Sequence, residues 1–294
     1  MEQSKPYTMP TMACNGWQHA SFSSVAEMVE TASAPLPAAN ADNPAAALLA
    51  AGCHGGGVKW FGLAGGSPAV AKAMRHGHAP GVAAVQAMFD ELPDTMRPPV
   101  STMRRRSWRD AGDSVDMQRV YGGQLDRAFQ RTTRQPGRAP RVVRLVVLLN
   151  ANHKANALAV AWRGVAALAL AQRLIGAGYG VEIVGAMCST DSFPASQNKG
   201  MFLTVKLKAA NAPVDVSTLS GVVTVMGFSR FIGYGCYLHS VDRAAPHMGY
   251  QKAPQYHGLI QPGEVAGFEV CESRDTAITF ITETLAAIEA TTGA

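Results

Sequence analysis

From residue 141 onward the apolar positions switch between a period of two and a period near 3.6, which predicts strands alternating with helices. Residues 141–149 are a nearly unbroken aliphatic run and read as a central buried strand. Residues 155–177 carry Leu158, Trp162, Val165 and Ala169 along one stripe, a helix stopped by the glycines at 176 and 178. Residues 179–187 read as a second strand, parallel to the first by the right-handed crossover rule. Residues 201–209 set Phe202, Thr204, Lys206 and Lys208 against Leu203, Val205 and Leu207, a half-exposed strand nearer an edge. Asp215 is placed to cap a short helix reaching about residue 226. Residues 234–241 and 265–271 are read as a fourth and a fifth strand, and Ser273 caps a closing amphipathic helix through Ile278, Ile281, Leu285 and Ile288. Such an order predicts a doubly wound, mostly parallel α/β sheet with helices on both faces.

Ahead of this region the pattern is helical, then undefined. Ser67 as N-cap, Pro68 at the first helical position and Gly77 as a stop predict a helix over 68–76, followed by a second over 80–91. Residues 1–57 are rich in Pro, Ala, Asn and Gly and are expected to be poorly ordered apart from a helix near 23–30. The division is therefore 1–57, a helical Arg-rich region over 58–139, and an α/β domain over 140–294.

Charge changes this picture at one place. Twelve of eighteen arginines fall between Arg97 and Arg144, with no lysine or glutamate there and only four aspartates, in a chain of net charge +5. Concentrated guanidinium groups suit phosphate recognition, because each presents a planar fork of donors. Arg104, Arg105, Arg106 and Arg109, with Trp108 as a platform for a stacked base, are the candidate nucleic-acid contacts. The preceding helix over 80–91 carries no basic residue, so reading of duplex sequence by that helix is not expected.

Residues 155–178 reach membrane-spanning length but contain Arg163 and Arg173, and read as a buried core helix. The opening residues contain charge and two prolines and no continuous apolar run, so no secretory signal is read there. Five scattered cysteines, none in a C-x-x-C pair, argue against a disulfide framework or zinc knuckle and for a reducing compartment.

The order of elements over about 140–290 resembles a von Willebrand factor A-type domain, a doubly wound sheet that commonly serves adhesion or assembly. The segments W-x-G-L-A-G at 60–65, W-R-G-V-A-A-L at 162–168, G-Y-G-V-E at 178–182, V-K-L-K at 205–208 and P-V-D at 213–215 are similar to a group of phage- and plasmid-borne proteins with such a domain. That resemblance implies a mobile-element origin, the cytoplasm of a bacterial host as location, and virion association as an open alternative. Integrin-type members hold a divalent cation with an Asp-x-Ser-x-Ser loop after the first strand. Here the position reads Asn150-Ala151-Asn152-His153-Lys154, with no carboxylate and an added cation, so no metal site is expected.

Ligands of open α/β sheets gather beyond the carboxyl ends of the strands. That rule groups Asn150, Asn152 and His153 with Asp191, Asp242, His247 and His257 as a ligand or partner surface. No phosphate-binding loop, dinucleotide fingerprint or H-E-x-x-H motif occurs, so no cofactor is expected. Gly65-Gly66-Ser67 looks like a nucleophile elbow without its strand, and capping serves Ser67 better. Cys53, His54, His76 and His78 match no recurrent zinc spacing, and the two later histidines are expected to flank the turn as exposed residues. The expected function is a non-enzymatic interaction or assembly protein. Its expected partners are another protein or a second copy, with single-stranded or non-specific nucleic acid in addition and no membrane. The competing class is a hydrolase or transferase at the strand ends, with His247 or His257 as base and Asp191 or Asp242 as its partner.

Overall fold

The computed structural model describes residues 17–38, 42, 62–92, 104–109, 111–112, 114–134, 141–150, 156–190, 200–240 and 264–292. Its body is a mixed α/β unit built on a mostly parallel four-stranded sheet. The strands are β1 (Trp17–Phe22), β5 (Val142–Leu148), β6 (Gly180–Thr190) and β7 (Gly200–Lys208), in the order β1-β7-β6-β5. β1 runs parallel to β7 and β5 parallel to β6, while β6 and β7 are antiparallel. β7 is therefore an interior strand and not one near an edge, because Trp17–Phe22, inside the segment expected to be poorly ordered, pairs along its far side. β5 is conversely at the end of the ladder and not central. Its outer side receives Val265, whose N–H and C=O bond Arg144 and Val146 in a single parallel bridge.

Side-chain alternation assigns the two faces. Val143, Leu145, Val147, Val181, Ile183, Met187, Leu203, Val205 and Phe22 enter the main core. Residues one position along, Leu148, Ala186, Cys188 and Phe202, form a separate small cluster made only of strand residues. The described helices thus join the first face, and the expected cover on both faces is one-sided among the described residues. α1 (Val25–Ser33) lies against β1 and β7. Ser24 caps it by accepting from the Glu27 N–H, and Glu27 reaches back to the Ser23 N–H at 2.7 Å. α5 (Ala157–Gly176) packs on β5 and β6. It is long and apolar enough to cross a membrane, yet 61% of its apolar window is buried inside the protein.

A second helical tier sits on α5. It comprises α2 (Gly66–His76), α3 (Ala79–Glu91) and α6 (Val216–Val223), the last capped by Asp215 through the Thr218 N–H at 3.1 Å. α3 places Val85 and Met88 in the same core as the sheet. α2 begins one residue before Ser67: Gly65 at φ 97° precedes it with no side-chain cap, so Ser67 is inside the helix and not its N-cap. A pair of left-handed glycines, Gly65 and Gly66, makes that entry, a conformation serine would adopt only under strain. His78 is not an exposed turn residue either. Its N–H donates to Ser220 Oγ at 3.0 Å and its Nδ1 lies 2.8 Å from Thr224 Oγ1, which docks α3 onto α6.

The expected fourth strand is helical. A π-turn (Ser229–Gly233) leads into α7 (Tyr234–Ser240), where Tyr234, Cys236, Tyr237 and Leu238 are all buried. A helix enclosed on every side shows no amphipathic stripe, so its period is unreadable. In place of a fifth strand, the bridge at Val265 is followed by a 3-10 turn (Phe268–Val270) and by α8 (Arg274–Thr292).

Candidate functional site

Within the region expected to be helical, the described part of the Arg-rich window includes three strands. β2 (Arg104–Arg109), β3 (Ser114–Val115) and β4 (Phe129–Arg134) form a separate antiparallel sheet in the order β2-β4-β3. The β-branched and aromatic residues Val115, Phe129, Thr132 and Thr133 favour a pleated ladder over a helix. Between β3 and β4 lie the short α4 (Met117–Tyr121), capped by Asp116, and a 3-10 turn (Leu125–Arg127). β2 and β4 together hold six arginines in twelve positions and no acid.

The pairing register divides this charge between the two faces of the ribbon. Arg104 stands opposite Arg134, Ser107 opposite Arg131 and Arg109 opposite Phe129. Positions 104, 106, 108 and 134 therefore fall on one face of the ribbon and 105, 109 and 131 on the other. Arg104 and Arg134 are the one directly opposed like-charge pair of this ladder, an unfavourable pairing. Beyond the strands, Arg119 pairs with Asp116 at 3.4 Å and the exposed Arg127 with Asp126 at 3.6 Å. Two of the window's acids are thereby occupied away from the ribbon.

Little core is seen among the described side chains of this sheet and its connection. Among its described side chains Ala128 is buried, whereas Val115 (46% exposed), Met117 (49%), Tyr121 (82%) and Leu125 (60%) stand out to solvent. The main packing partners of the three strands are one another and the 3-10 turn. Sequence reasoning singled out Arg104, Arg105, Arg106, Trp108 and Arg109 but not Arg131 and Arg134, which lie on the paired strand. Their signal was the Phe-Gln-Arg-Thr-Thr-Arg run, whose β-branched pair marks a strand.

The strand-end surface is described only at Asn150. This side chain is 7% exposed, accepts the Cys188 N–H at 3.1 Å through Oδ1 and donates Nδ2 to the Cys188 carbonyl at 2.6 Å. It thus extends the β5–β6 ladder by one rung, and both its polar atoms are committed away from any ligand. Asn152, His153, Asp191, Asp242, His247 and His257 lie outside the described residues, as do Cys53 and His54. Among the described residues no group of three or more His, Cys, Asp or Glu could hold a metal. Asn150→Asp is expected to lower unfolding free energy by about 1–3 kcal/mol in urea titration, because a carboxylate would face the Cys188 carbonyl without a proton to give. Unaltered stability would mean that the amide pairing contributes nothing.

A cleft of about 370 Å³ opens on the sheet face opposite the main helical core, between the end of β1, the first turn of α1 and strands β5 to β7. Arg144 crosses from β5 to Glu182 at 3.7 Å and to Glu264 at 2.5 Å, and the Ser23 N–H donates to Glu27. Thr204 Oγ1 lies 3.2 Å from His19 Nε2 and donates to Ser21 Oγ at 3.1 Å. The cleft draws on residues from four strands and a helix, a convergence no local pattern announces.

Burial holds His19 and His78 below the ordinary histidine value of 6.5. For a base depressed in the folded state, the unfolded chain binds the extra proton, so stability is complete above about 6.5 and falls as pH drops below it. Thermal unfolding between pH 7.5 and 5 is expected to show this decline, less steeply in His19→Gln. An identical profile in that variant would remove His19 from the account.

The model of a family described as "Domain of unknown function (DUF7192)" matches residues 13–290. No curated protein and no solved structure matches the chain.

Proposed function

We propose that this chain, which belongs to the DUF7192 family, is a non-enzymatic interaction protein whose arginine ribbon contacts nucleic-acid phosphates while its α/β body serves assembly. The observation that carries the reading is the acid-free β2–β4 ladder, six arginines in twelve paired positions with Arg104 opposite Arg134. Phosphate oxygens fit guanidinium forks, and the released counter-ions supply the driving force. A polyanion laid along the ribbon also offsets the opposition of Arg104 and Arg134.

The finer reading of the body is a von Willebrand factor A-like sheet lacking an intact cation site. In its favour are the β5–α5–β6 parallel unit, the antiparallel β7 that follows, and Val265 pairing on the other side of β5. Asn150 bonds the Cys188 backbone through both of its polar atoms. Fluorescence anisotropy of labelled oligonucleotides over a salt series tests the ribbon reading. A steep fall of affinity with salt is the expected result, and no binding at low salt would redirect the search to protein partners.

A further inference from the structure

We infer that the ribbon's ligand is a single-stranded nucleic acid, with phosphates along the arginine rows and a base stacked on Tyr121; this rests on the ribbon reading above. The arginines alone would suit any polyanion, duplex included. What discriminates is the apolar surface beside them. Tyr121 ends α4 and is followed by Gly122 and by Gly123 at φ 75°, a turn that leaves the ring 82% exposed. Val115, Met117 and Leu125 are also exposed in the same eleven-residue stretch, and Met117 lies one helical turn before Tyr121. Arg127, 71% exposed at the side chain, and the exposed Arg109 flank it with charge.

A duplex hides its base faces in the stack and presents sugar and phosphate to such a surface, which then gains nothing from its apolar area. Unpaired bases offer π faces that stack on an exposed aromatic ring irrespective of sequence. An anionic bilayer fits the composition less well: the apolar residues sit on a two-residue strand, a five-residue helix and the turns after it, too short for an apolar face that lies along a lipid interface.

The test uses the full chain with a labelled thymidine 20-mer and a duplex of equal length, read by anisotropy over a salt series. Tyr121→Ala is expected to weaken single-strand binding about tenfold, Tyr121→Phe to retain it, and both to leave the salt slope unchanged. The exposure of Tyr121 makes unfolding by either change unexpected, and thermal melts check it. Wild-type affinity in Tyr121→Ala, or a duplex bound as tightly as the single strand, would overturn this inference while leaving the phosphate reading intact. Failure of the wild type to bind either oligonucleotide at low salt would overturn both.

Discussion

Replacing Arg104, Arg105, Arg106 and Arg109 together by alanine is expected to reduce nucleic-acid affinity at 0.1 M salt by roughly two to three decades. Each phosphate contact to a single strand contributes about 0.7 to the slope of log affinity against log salt, so the loss of two contacts on one face flattens it by about 1.4 and the loss of all four by about 3. The flattening is the more telling readout. A variant that had merely lost its fold would fail to bind at any salt, whereas loss of four charges leaves weaker binding with a shallower dependence. Arg131 and Arg134, on the partner strand, would account for what persists. An unchanged slope would end the phosphate reading, because no other source of that slope is so concentrated in the chain.

The second large effect is on stability, and its sign opposes helix propensity. Gly164→Ala and Gly221→Ala are each expected to cost about 3 kcal/mol in denaturant titration, although alanine in a helix is intrinsically favoured by about 1 kcal/mol. A Cβ at Gly164 would stand 2.2 Å from the Val223 carbonyl oxygen, and one at Gly221 2.0 Å from that of Ala73. Both obstacles are backbone, so the helices must separate: α5 from α6 in the first case, α6 from α2 in the second. A Cβ at Gly176, also in α5, would meet nothing within 4 Å, and Gly176→Ala should stabilise by up to about 1 kcal/mol. Equal effects at all three positions would show that the close helix contacts do not limit stability.

Legibility in the sequence followed the range of the interactions involved. The β5–α5–β6 unit was readable because an aliphatic run, a striped helix and a second aliphatic run each declare themselves within about twenty residues. The caps at Asp215 and Ser273 were readable for the same reason, since a cap bonds a backbone three residues on; Ser273 Oγ accepts the Thr276 N–H at 3.3 Å. Tyr234–Ser240 was misassigned because complete burial erases the period that distinguishes helix from strand. Trp17–Phe22 was overlooked because a short strand against a distant edge has no local turn partner, its mate β7 lying over 170 residues away.

The candidate site divides in the same way. Chain composition alone determined that positive charge gathers between Arg97 and Arg144, and that no carboxylate follows the first strand of the α/β region. Tertiary structure decided that the arginines occupy a ladder, that Arg104 meets Arg134, and that Asn150 is spent on Cys188. The physical reason is that residue type sets local backbone preference and burial tendency, whereas register and face depend on pairing between segments far apart in the chain.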